Sequence, residues 1–230
     1  MRAEFYLSQS AYVSVLETAG VFLSTATDRY YLVQKDQFVW LNDLLGSPSH
    51  QLSHPARAFA DQLIALGLLT RDAGAGKPFA PTVRPAATAA LPEERPPETA
   101  RVHLAETFRF FRAAAQARKV RTRLRLEPLL ETARRWSTLP EDERSPTPSE
   151  LAALVSRFKA LEPLAYSVQD ACLFRSLVLL RYLTFSGIAP DWVFGVRLRP
   201  FGAHCWVEKD GVVLNDALET VQAYCPIMCV

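Results

Sequence analysis

The sequence lacks a long apolar run. None of its stretches reaches the roughly 20 consecutive apolar residues a bilayer-spanning helix needs, so no membrane partner is expected. The first fifteen residues, MRAEFYLSQSAYVSV, hold one arginine and no apolar core behind it. A secretory signal is therefore not expected, and the cytoplasm is the default location. Cysteine and histidine are scarce, at four each. No CxxC pair occurs, and Cys172, Cys205, Cys225 and Cys229 all lie in the last 59 residues. They read as free thiols and not as a disulfide framework. The stretch CPIMC at 225–229 has no second Cys or His pair at zinc-ligand spacing, so neither a metal nor another cofactor is expected. Net charge is also small, at +2.

What is present suits an ordinary globular chain. Of the 230 residues 49% are hydrophobic and 22% charged, enough for one large or two small domains. The charge is unevenly spread. Residues 101–135 carry ten Arg or Lys against Glu106, Glu127 and Glu131. That excess suits either a solvated helix face or a docking surface for an acidic partner. No aromatic-interleaved recognition motif accompanies it, so nucleic acid is not expected as a partner.

Residues 70–100 hold six prolines and eight alanines, and apolar periodicity is lost there. The expected organisation is a small unit at 1–70, a Pro/Ala-rich linker at 71–100 and a larger unit at 101–230. In the small unit, AYVSVLET, GVFLSTAT and DRYYLVQ read as three strands. Phe38, Leu41, Leu44 and Leu45 then recur at helical spacing, and HPARAFADQLIALGLLT is a second helix striped by Phe59, Leu63 and Leu66. His50 and His54 fall in a polar loop.

In the larger unit, VHLAETFRFFRAAAQARK is expected to bury Leu104, Phe108, Phe111 and Ala115 on one face. TPSELAALVSRFKAL opens with a capping box: Thr147, then Pro148, then Glu150. SVQDACLFRSLVLLRYLTFSGI is a third helix, with Ser167 or Asp170 as its cap and Gly187 beyond its end. The strands WVFGVRL, AHCWVE and VVLND follow, so the fold class is α+β, with helices packed on an antiparallel sheet.

Cys172 falls near the start of that third helix. Unpaired N–H groups and the helix dipole there favour a thiolate, and the same N–H groups can receive an oxyanion. A thiol nucleophile needs a base, and the larger unit offers His103 and His204. Strand alternation puts His204, Trp206 and Glu208 on one face, and Cys205 and Val207 on the other. The adjacent Cys205 is thus expected to be a core filler turned away from the site. The turn EKDGV decides what meets His204. A three-residue loop pairs Glu208 with Val212 and sets Asp216 opposite His204, with Cβ atoms about 5 Å apart. A two-residue Asp-Gly turn instead brings Asn215 to the His204 face. Local pattern leaves both open.

A cysteine at a helix start, a histidine 32 residues on and an aspartate 12 further resembles the transglutaminase-like branch of the papain-type thiol enzymes. CxxRS at 172–176, PFxAHxWVE at 200–208 and GVVLND at 211–216 resemble the C-terminal region of lasso-peptide B proteins, which are leader peptidases. The resemblance covers residues 165–218 well and 100–165 loosely. It implies a catalytic triad of Cys172, His204 and Asp216, and a papain/transglutaminase-like domain at 101–230. For residues 1–70 it implies a winged-helix, PqqD-like module that takes the leader as an added strand. The residues implied in leader binding are Arg29, Tyr30, Tyr31, Leu32 and Val33 on the third strand, with Phe59, Leu63 and Leu66 on the last helix. The partners implied are the precursor peptide and an asparagine-synthetase-like cyclase. The rival classes are a transglutaminase-like acyltransferase or amidase, a non-catalytic leader-binding chaperone and a winged-helix DNA-binding regulator. Gln169 is a candidate side-chain donor to the oxyanion.

Overall fold

The computed structural model describes residues 4–47, 51–91, 104–138, 146–165 and 172–230. His50, His103, Ser167, Gln169 and Asp170, each given a part above, lie outside the described residues. The chain divides into two compact units: residues 1–84 with 225–228, and residues 85–224 with 229–230.

Among its described residues the smaller unit carries two three-stranded sheets and two α-helices. One sheet runs β2 (Ala11–Leu16), β3 (Ala19–Ser24), β4 (Arg29–Gln34), antiparallel throughout. These are the three strands expected from the alternation of β-branched and aromatic residues. The central strand is wholly buried, and β4 forms an edge. The helices are α1 (Asp36–Gly46) and α2 (His54–Ala65). Ser53 caps α2 by accepting the Ala56 N–H at 3.3 Å, with Pro55 in the first turn, where its missing N–H costs nothing. Gly67 follows the helix at φ +70°, the left-handed conformation that favours glycine.

The second sheet was not foreseen. Its order is β5 (Leu69–Thr70), β1 (Tyr6–Ser8), β6 (Gly76–Pro78). Strands of two or three residues are too short for a period of two to register. The stretch expected to be a linker is therefore partly structured: β6 pairs with β1, and β7 (Ala89–Ala90) pairs in parallel with β10 (Val212–Val213).

The larger unit sets α3 (Leu104–Arg123), α4 (Leu126–Ser137), α5 (Pro148–Leu161) and α6 (Cys172–Thr184) beside a sheet. Four of its strands run in the order β8 (Asp191–Leu198), β9 (Phe201–Lys209), β10, β7. The short helix α7 (Leu218–Gln222) and the strand β11 (Cys225–Cys229) close the chain. The capping box of α5 forms in full: Glu150 N–H donates to Thr147 Oγ1, and Thr147 N–H to Glu150 Oε2. Helix α6 is buried along nearly its whole length, and it packs on β9.

The buried face of α3 differs from the expected one. Leu104 is 90% exposed, Phe108 70% and Phe111 43%, while Phe110, Ala113, Ala114 and Ala117 are buried. The helix turns its alanine stripe inward because small side chains let it approach α6 closely. Buried Glu106 on the same face receives a hydrogen bond from Arg157 Nη1. The basic residues of this region also pack. Arg118 and Arg121 lie 5.8 and 5.5 Å from the centroid of Phe174, and Arg112 lies 4.6 Å from that of Phe185.

Candidate active site

The site is built from the first turn of α6, the middle of β9 and the chain just after β10. Cys172 opens α6 and is half-buried. One turn on, Ser176 is fully buried and ties the helix to the sheet. Its hydroxyl donates to the Cys172 carbonyl at 2.6 Å and accepts from Trp192 Nε1 on β8 at 2.8 Å. That is the structural work of the serine in CxxRS.

His204 sits on β9 opposite Gly195 of β8. Its ring stacks on Trp206, centroids 6.0 Å apart, and lies 5.2 Å from the Tyr224 ring. Trp206 is fixed in turn, donating from Nε1 to the buried Glu208 at 2.6 Å. A Cβ at Gly195 would meet Trp206 at 2.8 Å and Tyr224 at 2.9 Å, so only glycine lets these rings close over β8. Gly195 and Tyr224 were missed from sequence. A glycine inside the apolar strand WVFGVRL was the available signal for the first.

The turn after β9 has two residues, Asp210 at φ 52° and Gly211 at φ 77°, as a type I′ hairpin turn requires. Val212 pairs with Lys209, and Val213 with Glu208. Continued, this register would carry Asn215 to the His204 face. It does not continue. The two-residue strand β10 stops at Val213, and Leu214 N–H makes one more bond, to the Val207 carbonyl, at 2.9 Å. Asn215 Oδ1 then accepts the Val207 N–H at 2.8 Å. With a side chain serving as the last rung, the backbone peels off the sheet. Asp216 comes round, and its Oδ2 meets His204 Nε2 at 2.6 Å. The two-residue turn is thus compatible with Asp216, contrary to the rule that strand register alone supplied. The contact uses Nε2 and so leaves Nδ1 as the nitrogen available to the sulfur.

His204 and Cys205 both act on the Cys172 sulfur, the latter through its thiol and its backbone N–H. Cys205 is buried on the α6 face, as alternation requires, but it is not turned away from the site. Alternation separates strand neighbours; it does not say which face carries the helix with the nucleophile.

The electrostatics follow from these contacts. The Cys205 thiol, followed by the His204 side chain and the Cys205 N–H, holds the Cys172 thiol down to about 4, against the opposing effect of burial. Burial works against a charged His204, but its hydrogen bonds to Asp216 and Cys172 prevail and raise it to about 9. Burial likewise opposes ionisation of Asp216, yet the His204 bond and the Ala217 N–H lower it, and the charge of Arg175 contributes. Arg175, the arginine of CxxRS, lies 3.7 Å from Glu162. Between the two titrations a thiolate faces an imidazolium backed by a carboxylate. Such a set can perform nucleophilic attack with proton shuttling. No group of three or more metal-ligating side chains occurs among the described residues, and none of their helices is long and apolar enough to cross a membrane.

Of the residues expected to take a leader peptide, the five on β4 lie on an edge strand, with Leu32 44% exposed and Val33 buried. Phe59 and Leu63 are corrected to core residues, at 3% and 2% exposure. Both pack among Leu41, Leu44 and Trp40 beneath α1. Only Leu66, at 46% exposure, is left of that stripe for a ligand.

A helix-borne thiol joined to a strand histidine and a following aspartate is the arrangement of transglutaminase-like thiol proteins. The model of the transglutaminase-like superfamily matches residues 114–229, half of the chain, and the chain belongs to that superfamily. It is also 48% identical over 46 residues to the microcin J25-processing protein McjB of Escherichia coli. That stretch covers 20% of this chain and 22% of the relative. No solved structure gives a significant match.

Proposed function

We propose that this protein is a cysteine peptidase that binds a lasso-peptide precursor and removes its leader. The observation that carries the proposal is the continuous set from Cys172 through His204 to Asp216, with the 2.6 Å His204–Asp216 bond at its centre. The limited likeness to a microcin-processing protein and the motifs CxxRS and PFxAHxWVE support the choice of substrate class.

In this mechanism the Cys172 thiolate attacks the carbonyl carbon of the scissile bond. The oxyanion is received by N–H groups at the α6 start. The His204 imidazolium gives its proton to the departing amine, leaving the leader as a thioester on Cys172. Neutral His204 then takes a proton from water, whose oxygen attacks the thioester; the C–S bond breaks, the leader leaves as a carboxylic acid, and the thiolate and imidazolium are restored. Asp216 holds the ring and supports its charge. The smaller unit would recognise the leader, pairing it along the open edge of β4. An asparagine-synthetase-like cyclase would take the freed core peptide.

The test is mass spectrometry of precursor incubated with the protein and with Cys172→Ala. Two cleaved pieces with the first and intact precursor with the second are expected. An intact amine adduct would indicate an acyltransferase instead, and equal cleavage by both proteins would remove Cys172 from the role.

A further inference from the structure

The peptidase mechanism leaves one buried nucleophile unused. Cys205 is 3% exposed, on the face of β9 that packs against α6. Its sulfur lies 3.3 Å from Ser176 Oγ, the same hydroxyl that donates to the Cys172 carbonyl at 2.6 Å. Cys205 therefore sits under the first turn of α6, one hydroxyl away from the backbone of Cys172, and each thiol acts on the ionisation of the other. The two cysteines, one half-buried and one buried, are carried by different elements that Trp192 cross-ties through Ser176.

We propose that Cys172 and Cys205 form a reversible disulfide when the site meets a peroxide, with Cys205 as the resolving thiol. The inference rests on Cys172 being the activated thiolate of the proposed peptidase. In the first step the Cys172 thiolate attacks one peroxide oxygen and the O–O bond breaks. The departing hydroxide takes a proton from the His204 imidazolium and leaves as water, and Cys172 becomes a sulfenic acid. In the second step the Cys205 sulfur attacks the Cys172 sulfur and the S–O bond breaks. The hydroxide leaves as water with the Cys205 proton. Two thiols have lost two electrons to the peroxide, and two waters have formed.

The environment of Cys205 suits the order of events. Burial and the neighbouring thiolate both push its thiol well above the ordinary range, so it stays protonated while Cys172 is reduced. Oxidation of Cys172 removes that negative charge, and the contacts from Ser176 and Trp192, which favour ionisation, then act unopposed by it. The product would shield Cys172 from further, irreversible oxidation and silence the nucleophile until a thiol reductant restores it.

The experiment treats the full chain with hydrogen peroxide at increasing ratios and maps peptides without reduction. The expected product links the Cys172 and Cys205 peptides with the loss of two hydrogens, and dithiothreitol reverses it. In Cys205→Ser, which keeps the side-chain size, Cys172 should gain two or three oxygens. Its dithiothreitol-recoverable thiol should be lost roughly tenfold faster than in the unaltered chain. Equal loss in both proteins with no linked pair would overturn the inference, as would linkage of Cys172 to Cys225 or Cys229 in place of Cys205. The readout is independent of cleavage. A linked pair in a chain that does not cut precursor sinks the peptidase and spares the disulfide; cutting without linkage does the reverse.

Discussion

At the scale of residues, the site is defined by how its charges support one another. Below about pH 4 the Cys172 thiolate gains a proton and attack stops. Above about pH 9 His204 loses the proton it must give to the leaving amine. Precursor cleavage should therefore rise through the first value and fall through the second, read as kcat/KM against pH. Asp216→Ala removes the leading cause that raises His204, so the alkaline limb should move to lower pH. The maximum rate should drop about 10²-fold, the lower end of what a positioned acid–base partner contributes. An unmoved alkaline limb would show that Asp216 does not act on His204. These partners were only partly legible in the sequence. His204 followed from the scarcity of histidine, and Cys172 from its place at a helix start. The strand pattern left Asp216 and Asn215 both open, and only the resemblance pointed to Asp216, because the choice depends on where β10 stops and on the Asn215 side chain replacing a backbone rung.

At the scale of elements, α3 shows how composition can mislead. The large apolar residues of VHLAETFRFFRAAAQARK suggest a core stripe, yet the helix buries Ala113, Ala114 and Ala117 around Phe110. Phe110 meets Phe158 edge-on at 5.4 Å, and Phe158 lies 5.3 Å from Tyr182 of α6. An amphipathic pattern ranks faces by hydrophobicity; helix–helix distance ranks them by size, and here size decides. Ala117→Leu should thus overpack the α3 interface and cost about 1–3 kcal/mol, while Phe108→Ser should stay within about 0.5 kcal/mol. Thermal melts of the two variants test this, and a larger loss from Phe108→Ser would reverse the assignment of faces. The capping box of α5 and the glycine after α2 were legible because both are local. The strands β1, β5 and β6 were not, since each holds its place only through pairing with residues distant in sequence.

At the scale of the whole molecule, the proposed chemistry and the proposed recognition belong to different units, so they should fail separately. Leu32→Asp on the edge strand and Leu66→Asp beyond α2 place charges on exposed apolar positions of the smaller unit. Each should weaken precursor binding by roughly tenfold or more, as a charge in an apolar contact does. Calorimetric titration measures that loss, and alkylation of Cys172 by iodoacetamide should proceed at its unaltered rate. Unchanged affinity in both variants would move leader recognition elsewhere. The sequence by itself determined the α+β class, three strands and two helices of the smaller unit, the helices α3, α5 and α6 and the strands β8 and β9 of the larger one, though not α4, and the identity of the scarce groups able to do thiol chemistry. Those features rest on local periodicity, capping and composition, which act over a few residues. Tertiary structure alone decided that Asp216 reaches His204 through Nε2, that α3 turns its alanines inward, and that Cys205 lies against Cys172. Each of these depends on which surface meets which across the fold, and a pattern along one strand or helix does not specify its partner.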